Sequence, residues 1–180
     1  MLKSILKYGL IAGVVVGGLM FAITVNFHEQ LDFGALGMAI GYASMLVALS
    51  AVFVGIKSYR DRDRGGVIGF WPAFGLGLGI SMVASVCYAL AWEAALAVTG
   101  IDFMAAYTEH VLAGMRAKGA SAAELAATAK EMADFSASYA NRWVRMGMSM
   151  SEILPVGVLV AAISAALLRR PQFLPARAVA

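Results

Sequence analysis

Four long stretches of this sequence are almost free of charge, and nothing else in it constrains the fold as tightly. Between Lys7 and His28 every residue is uncharged. At about 1.5 Å per residue that run makes roughly 30 Å of helix, the thickness of a bilayer's hydrocarbon core. A first span is therefore expected at 8–27. Uncharged runs from Phe33 to Ile56 and from Gly65 to Trp92 give spans at about 34–56 and 67–92, each long enough to cross with some tilt. Pro72 lies near the start of the third, where a missing amide proton matters least. A fourth span, about 146–168, holds Glu152 and Pro155 and stops at Arg169 and Arg170. Lipid offers the backbone no hydrogen bonds, so such runs are helices. The expected fold is all-α, an integral membrane four-helix bundle.

Composition supports this reading: 61% of residues are hydrophobic and 14% charged, against roughly 45–50% and about 25% in soluble domains. Four spans leave little of the chain over, so 1–180 is read as a single membrane domain. The formal charge of +3 carries no nucleic-acid signal, because most basic residues flank hydrophobic runs where they set topology. Cys87 is the only cysteine, which excludes an intrachain disulfide, a zinc knuckle or a CxxC site. Met1–Ala22 has the lysines and apolar run of a signal peptide, but the run continues to Phe27 without an A-x-A site, which favours an uncleaved span.

Basic residues beside span ends are retained in the cytoplasm. Lys3 and Lys7 precede span one, Lys57, Arg60, Arg62 and Arg64 lie between spans two and three, and Arg169, Arg170 and Arg177 follow span four. Both termini are thus expected on the cytoplasmic side of a bacterial inner membrane. The loop His28 to Asp32 has no Lys or Arg, as suits the opposite side. The segment 100–145 carries five acids and five bases, so charge does not oppose its export. It is read as an extracytoplasmic helical hairpin between spans three and four. Asp102 can cap a first helix with Phe103, Tyr107, Val111 and Met115 on one face, and Gly119 provides a stop. Ser121-Ala122-Ala123-Glu124 is a capping-box pattern that opens a second, with Leu125, Met132, Phe135 and Tyr139 at helical spacing.

Glu93 and Glu152 are the acids nearest the hydrocarbon, both at the outer ends of their spans under this topology. Intramembrane acids are costly and often mark ion or proton pathways. Thr24, Asn26 and His28 of span one fall at similar depth, Tyr42 belongs to span two, and Ser81, Ser85, Tyr88 and Trp92 form a stripe along span three. Glu93, Glu152, Tyr88, Tyr42, His28 and Arg145 are therefore the candidate polar or ion site. The plainer reading has both acids snorkelling to the interface or pairing with Arg142 and Arg145. Arg145, Ser149 and Glu152 share one helix face, which makes Arg145 the expected partner of Glu152, with Tyr88 or His28 beside Glu93.

Glycines recur at four-residue spacing as Gly9, Gly13 and Gly17, as Gly37 and Gly41, and as Gly75 and Gly79. Such stripes let helix backbones approach closely in lipid, within this bundle or between two copies of it. No P-loop, nucleophile elbow, HExxH or dinucleotide fingerprint occurs, and no cofactor or metal is implied.

Over almost its whole length the chain resembles the bacterial membrane family known as domain of unknown function 4199. The resemblance rests on Leu6-Lys7-Tyr8-Gly9-Leu10-Ile11-Ala12-Gly13, on Ile40-Gly41-Tyr42-Ala43-Ser44-Met45 and on Gly55-Ile56-Lys57-Ser58-Tyr59-Arg60-Asp61 with Gly65-Gly66. It continues through Ala73-Phe74, Tyr88, Trp92-Glu93, Asp102-Phe103-Met104 with Tyr107, and Glu152-Ile153-Leu154-Pro155-Val156-Gly157 into Leu168-Arg169-Arg170. It implies a small multi-span protein of the bacterial inner membrane and supplies no catalytic residues. Pro72, before Ala73-Phe74, departs from the family's usual pattern.

Three functions are in competition, of which a membrane enzyme acting on lipid has the least support. One is a binding or assembly module without catalytic activity, whose partners are the lipid bilayer and another membrane protein or a second copy of the chain. The alternative is a small transporter or channel subunit with an outer-leaflet carboxylate site for a cation or proton. A module should keep its polar groups satisfied, whereas a transporter needs a wet cavity reaching the midplane.

Overall fold

The computed structural model describes residues 1–27 and 34–175. Six helices follow in order: α1 (Leu2–Phe27), α2 (Ala35–Asp63), α3 (Phe70–Thr99), α4 (Phe103–Ala117), α5 (Ala122–Tyr139) and α6 (Arg142–Leu168). There is no strand among the described residues. α1, α2, α3 and α6 are long and apolar enough to cross a membrane.

The helices run beyond the apolar spans read from charge alone, because a helix does not stop where hydrocarbon does. α1 starts at Leu2 and α2 continues to Asp63, through the charged turn that charge pattern alone would leave as loop. Lys57 and Asp61, one turn apart, form an ion pair of 2.5 Å that supports this extension. α3 occupies 70–99 and not 67–92; Gly69 caps its start, and Pro72 falls in the first turn, where amide donors have no intrahelical acceptor. α6 begins at Arg142, capped by the Asn141 side chain, which accepts from the Trp143 amide.

α1 and α6 each pack on both α2 and α3, so the order around the bundle is α1, α3, α6, α2. The core is made of small and branched side chains, among them Ala12, Val16, Leu49, Val52, Leu76, Ile80, Ala84, Ile153 and Ala161. Lipid removes most of the hydrophobic drive between helices, so close approach of backbones must supply the contact energy. A Cβ added at Gly9 would lie 2.5 Å from Val83 Cβ, one at Gly13 2.5 Å from Cys87 Cβ, and one at Gly17 3.0 Å from Ala91 Cβ. That whole stripe faces α3.

The other stripes behave differently. Gly79 packs under Ile5, but Gly75 meets only the end of Met1 at 4.0 Å, and nothing lies within 4 Å of a Cβ added at Gly41. Within this bundle, therefore, Gly41 and Gly75 are not at close helix contacts. Spacing along one helix also misses Gly77, which would place a Cβ 2.7 Å from Ala161 Cβ, and Gly157, which would place one 2.6 Å from Ser81 Cβ. Their complements are an alanine and a serine on the facing helix, a signal that no single-helix repeat contains.

α4 and α5 pack on each other, and α5 also touches α6. Asp102 accepts from the Ala105 amide at 3.0 Å and starts α4. Gly119, at φ 79°, turns the chain in a left-handed conformation that disfavours side chains. The Gly119 amide donates to Arg116 O and the Ala120 amide to Met115 O, the paired bonds of a Schellman stop. The Ser121 amide then donates to Glu124 Oε2 at 2.7 Å while the Glu124 amide donates to Ser121 Oγ, closing the capping box of α5.

At the opposite end of the bundle Arg60 is fully buried, though its charge alone marks it as a topogenic loop residue. Its Nη1 donates to Phe173 O at 2.9 Å and to Leu168 O at 3.4 Å, and its Nη2 to Leu174 O at 2.6 Å. Its Nε donates to Asp61 Oδ1 at 2.7 Å. The guanidinium thus serves the unsatisfied carbonyls at and beyond the end of α6, where the helix dipole is negative.

Candidate functional site

α3 presents Tyr88, Trp92 and Glu93 over its last three turns, and α6 presents Arg145, Ser149 and Glu152 over its first three. The two helices are neighbours, so these residues converge at the end of the bundle that carries α4 and α5.

The two acids have different partners from those their spacing suggests. Arg145 holds Glu93, not Glu152: its Nε donates to Oε1 at 2.5 Å and its Nη2 to Oε2 at 2.7 Å. Arg142 adds a longer contact of 3.4 Å from an exposed position. Residues seven apart share a helix face but sit about 10 Å apart along the axis, whereas Glu93 offers both oxygens to the guanidinium fork from the adjacent helix. Glu152 is instead reached by the Tyr88 hydroxyl, which donates to Oε2 at 3.3 Å. Among the described residues no cationic group lies within ion-pair distance of Glu152.

Arg145 also ties in the end of α5. Its Nη1 donates to Tyr139 O at 3.1 Å, and its guanidinium stands 5.4 Å from the centre of the Tyr139 ring. The Tyr139 hydroxyl accepts from Trp92 Nε1 at 2.7 Å. Burial pushes the Tyr139 phenol up to about 12, outweighing the opposing effects of the Trp92 hydrogen bond and the Arg145 charge. Phe103 packs edge-on against Trp92 and stacks with Tyr107 and Tyr139, and Phe135 lies beside Tyr139. One aromatic cluster thus joins α3, α4 and α5. The apolar faces of α4 and α5 are visible in the sequence, but the Trp92 to Tyr139 bond joins residues 47 apart and no local pattern reports it.

A cavity of about 570 Å³ opens between these elements. Tyr88, Trp92, Phe103, Tyr107, Phe135 and Tyr139 supply its aromatic wall, and Glu152, Ser149 and Ser151 its polar one. A second cavity of about 430 Å³ runs among α1, α2 and α3, lined by Met20, Ile23, Phe27, Ile40 and Met45 with Thr24 and Ser44. Gly37 and Tyr88 border both. Of the other sequence candidates, Tyr42 is 56% exposed and borders neither cavity, and His28 lies outside the described residues. Among the described residues no group of three or more His, Cys, Asp or Glu could hold a metal ion.

No curated protein and no solved structure matches the chain. A family model does, over residues 7–170, which takes in all four long helices and the α4–α5 pair. The chain belongs to the family described as protein of unknown function DUF4199.

Proposed function

We propose that this is a single-domain, multi-pass protein of a bacterial inner membrane that acts as a binding module, with no catalytic step of its own. The cavity beside Glu152 is its recognition site. The observation that carries this is the contrast between the two acids: Glu93 is neutralised by a two-pronged arginine, while Glu152 faces a cavity and has, among the described residues, a tyrosine hydroxyl and no cation as its partner. A purely structural acid in a span is expected to have its charge matched. The Glu93 to Arg145 pair and the Trp92 to Tyr139 bond then act as supports that hold α5 and α6 around the cavity.

The distribution of Lys and Arg supports cytoplasmic termini, with α4 and α5 on the far side. Reporter fusions at Ala180 and at Gly119 should read opposite compartments, and equal readings would reject this topology. Purification in a mild non-ionic detergent, followed by native mass spectrometry, tests the binding role. The wild type should carry a small-molecule mass adduct that Phe135→Ala and Glu152→Gln release, and a bare wild type would reject it.

A transporter using Glu152 is the second reading, favoured by the same uncompensated acid. Against it, the Gly77 to Ala161 and Gly157 to Ser81 contacts bring α3 and α6 close together along the bundle. Cation or proton flux in liposomes that Glu152→Gln abolishes would establish the transporter.

A further inference from the structure

We infer that the ligand of this site is an amphiphile with an organic ammonium head, the head lying against Glu152 and the chain in the cavity between α1 and α2. The inference rests on the binding reading above and adds the chemistry of the ligand. Three observations converge on it. The Glu152 carboxylate borders the first cavity, and among the described residues no Lys or Arg lies within ion-pair distance of it. The rest of that cavity's wall is aromatic, and aromatic rings attract ammonium groups that are too bulky or too poorly hydrated to suit a lone carboxylate in water. Arg145 over the Tyr139 ring is an internal instance of the same attraction.

The third observation is that the two cavities adjoin, with Gly37 and Tyr88 lining both. From Gly37 to Met45 the second cavity follows α2 for about 12 Å, and its lining is largely aliphatic. A soluble ammonium ion would fill the first cavity and leave the second empty. A molecule with a hydrocarbon tail fills both, with its charge at the end of the bundle and its tail toward the interior of the spans. Tyr88 is the pivot: its ring borders both cavities while its hydroxyl holds Glu152.

Trp92 reports occupancy directly, because it lines the first cavity, and the other two tryptophans, Trp71 and Trp143, are exposed. The full chain carrying Trp71→Phe and Trp143→Phe is titrated in maltoside micelles at fixed detergent concentration. The probes are dodecyltrimethylammonium, tetramethylammonium and dodecyl sulfate. Dodecyltrimethylammonium should shift Trp92 emission saturably, and Glu152→Gln should weaken it roughly tenfold or more, as expected for loss of a shielded charge contact, with no fall in melting temperature. Gly41→Leu, which fills the second cavity from a position with open space, should weaken dodecyltrimethylammonium and leave tetramethylammonium unchanged. Equal affinity for tetramethylammonium and its dodecyl analogue would overturn the amphiphile and leave a soluble ammonium site. Saturable binding of dodecyl sulfate that is indifferent to Glu152→Gln would overturn the ammonium head while keeping the binding role. Silence of Trp92 toward every probe, with the native protein free of adducts, would overturn both.

Discussion

Arg145 and Glu93 form a two-pronged ion pair between α6 and α3, one turn inside the end of the bundle, and the same guanidinium holds the Tyr139 carbonyl at the end of α5. Because both side chains are largely shielded, removing one strands the other. Glu93→Gln or Arg145→Gln should destabilise the protein by about 3 kcal/mol, near the lower end for breaking a buried pair. The exchange Glu93→Arg with Arg145→Glu should recover part of that loss. Equilibrium unfolding in mixed detergent measures it, and a wild-type midpoint in either single variant would show the pair to be idle.

The α1 stripe and the α2 glycine give opposite expectations. Gly13→Val should cost about 1–3 kcal/mol, the range for overpacking, because its first carbon already collides with Cys87. Gly41→Ala should lie within about 0.5 kcal/mol of wild type, since nothing stands within 4 Å. Thermal melts of the two purified variants give the comparison, and equal losses would reject the assigned helix interfaces.

Arg60 should not accept lysine. A single ammonium cannot serve the carbonyls of Leu168, Phe173 and Leu174 while also meeting Asp61. Arg60→Lys should lower stability by about 2 kcal/mol and raise amide exchange over residues 170–174. Unchanged protection there would contradict the clamp.

The start of α5 should soften in acid. Hydrogen bonds from Ser121 hold the Glu124 carboxyl below its usual range, and Glu124 is fully solvent-exposed. A lowered folded pKa means that the stabilisation is complete above the ordinary glutamate value of about 4.3 and is lost as pH falls through the folded value. Carbon-detected NMR of Glu124 should show the depressed titration, and Ser121→Ala should return it to the ordinary range. A normal titration in the wild type would mean that the capping box is open in solution.

What the sequence discloses and what it withholds divide along a physical line. The four apolar runs, the Gly119 stop and the Ser121 to Glu124 box are determined by residues within a turn or two of one another, and all can be read from the chain directly. Which arginine meets which acid depends on the rotation of α6 against α3, and the one-helix geometry that joins Arg145 to Glu152 gives the wrong partner. Gly157 and Gly77 are invisible for the same reason, since their partners are Ser81 and Ala161 across an interface. Arg60 stands among Lys57, Arg62 and Arg64 in a charged run, and composition cannot single out the one that turns inward.

The burial of Arg60 has a consequence for biogenesis. Its carbonyl partners lie more than a hundred positions downstream, at and after the end of the last long helix. Chains are made from the amino end and fold as they emerge, so α1, α2 and α3 must wait in the membrane with a guanidinium that has Asp61 beside it but whose carbonyl acceptors have yet to be synthesised. Docking of α6 is therefore the event that seals the assembly, and a chain cut short before it would leave a guanidinium without those carbonyls for quality-control proteases to find.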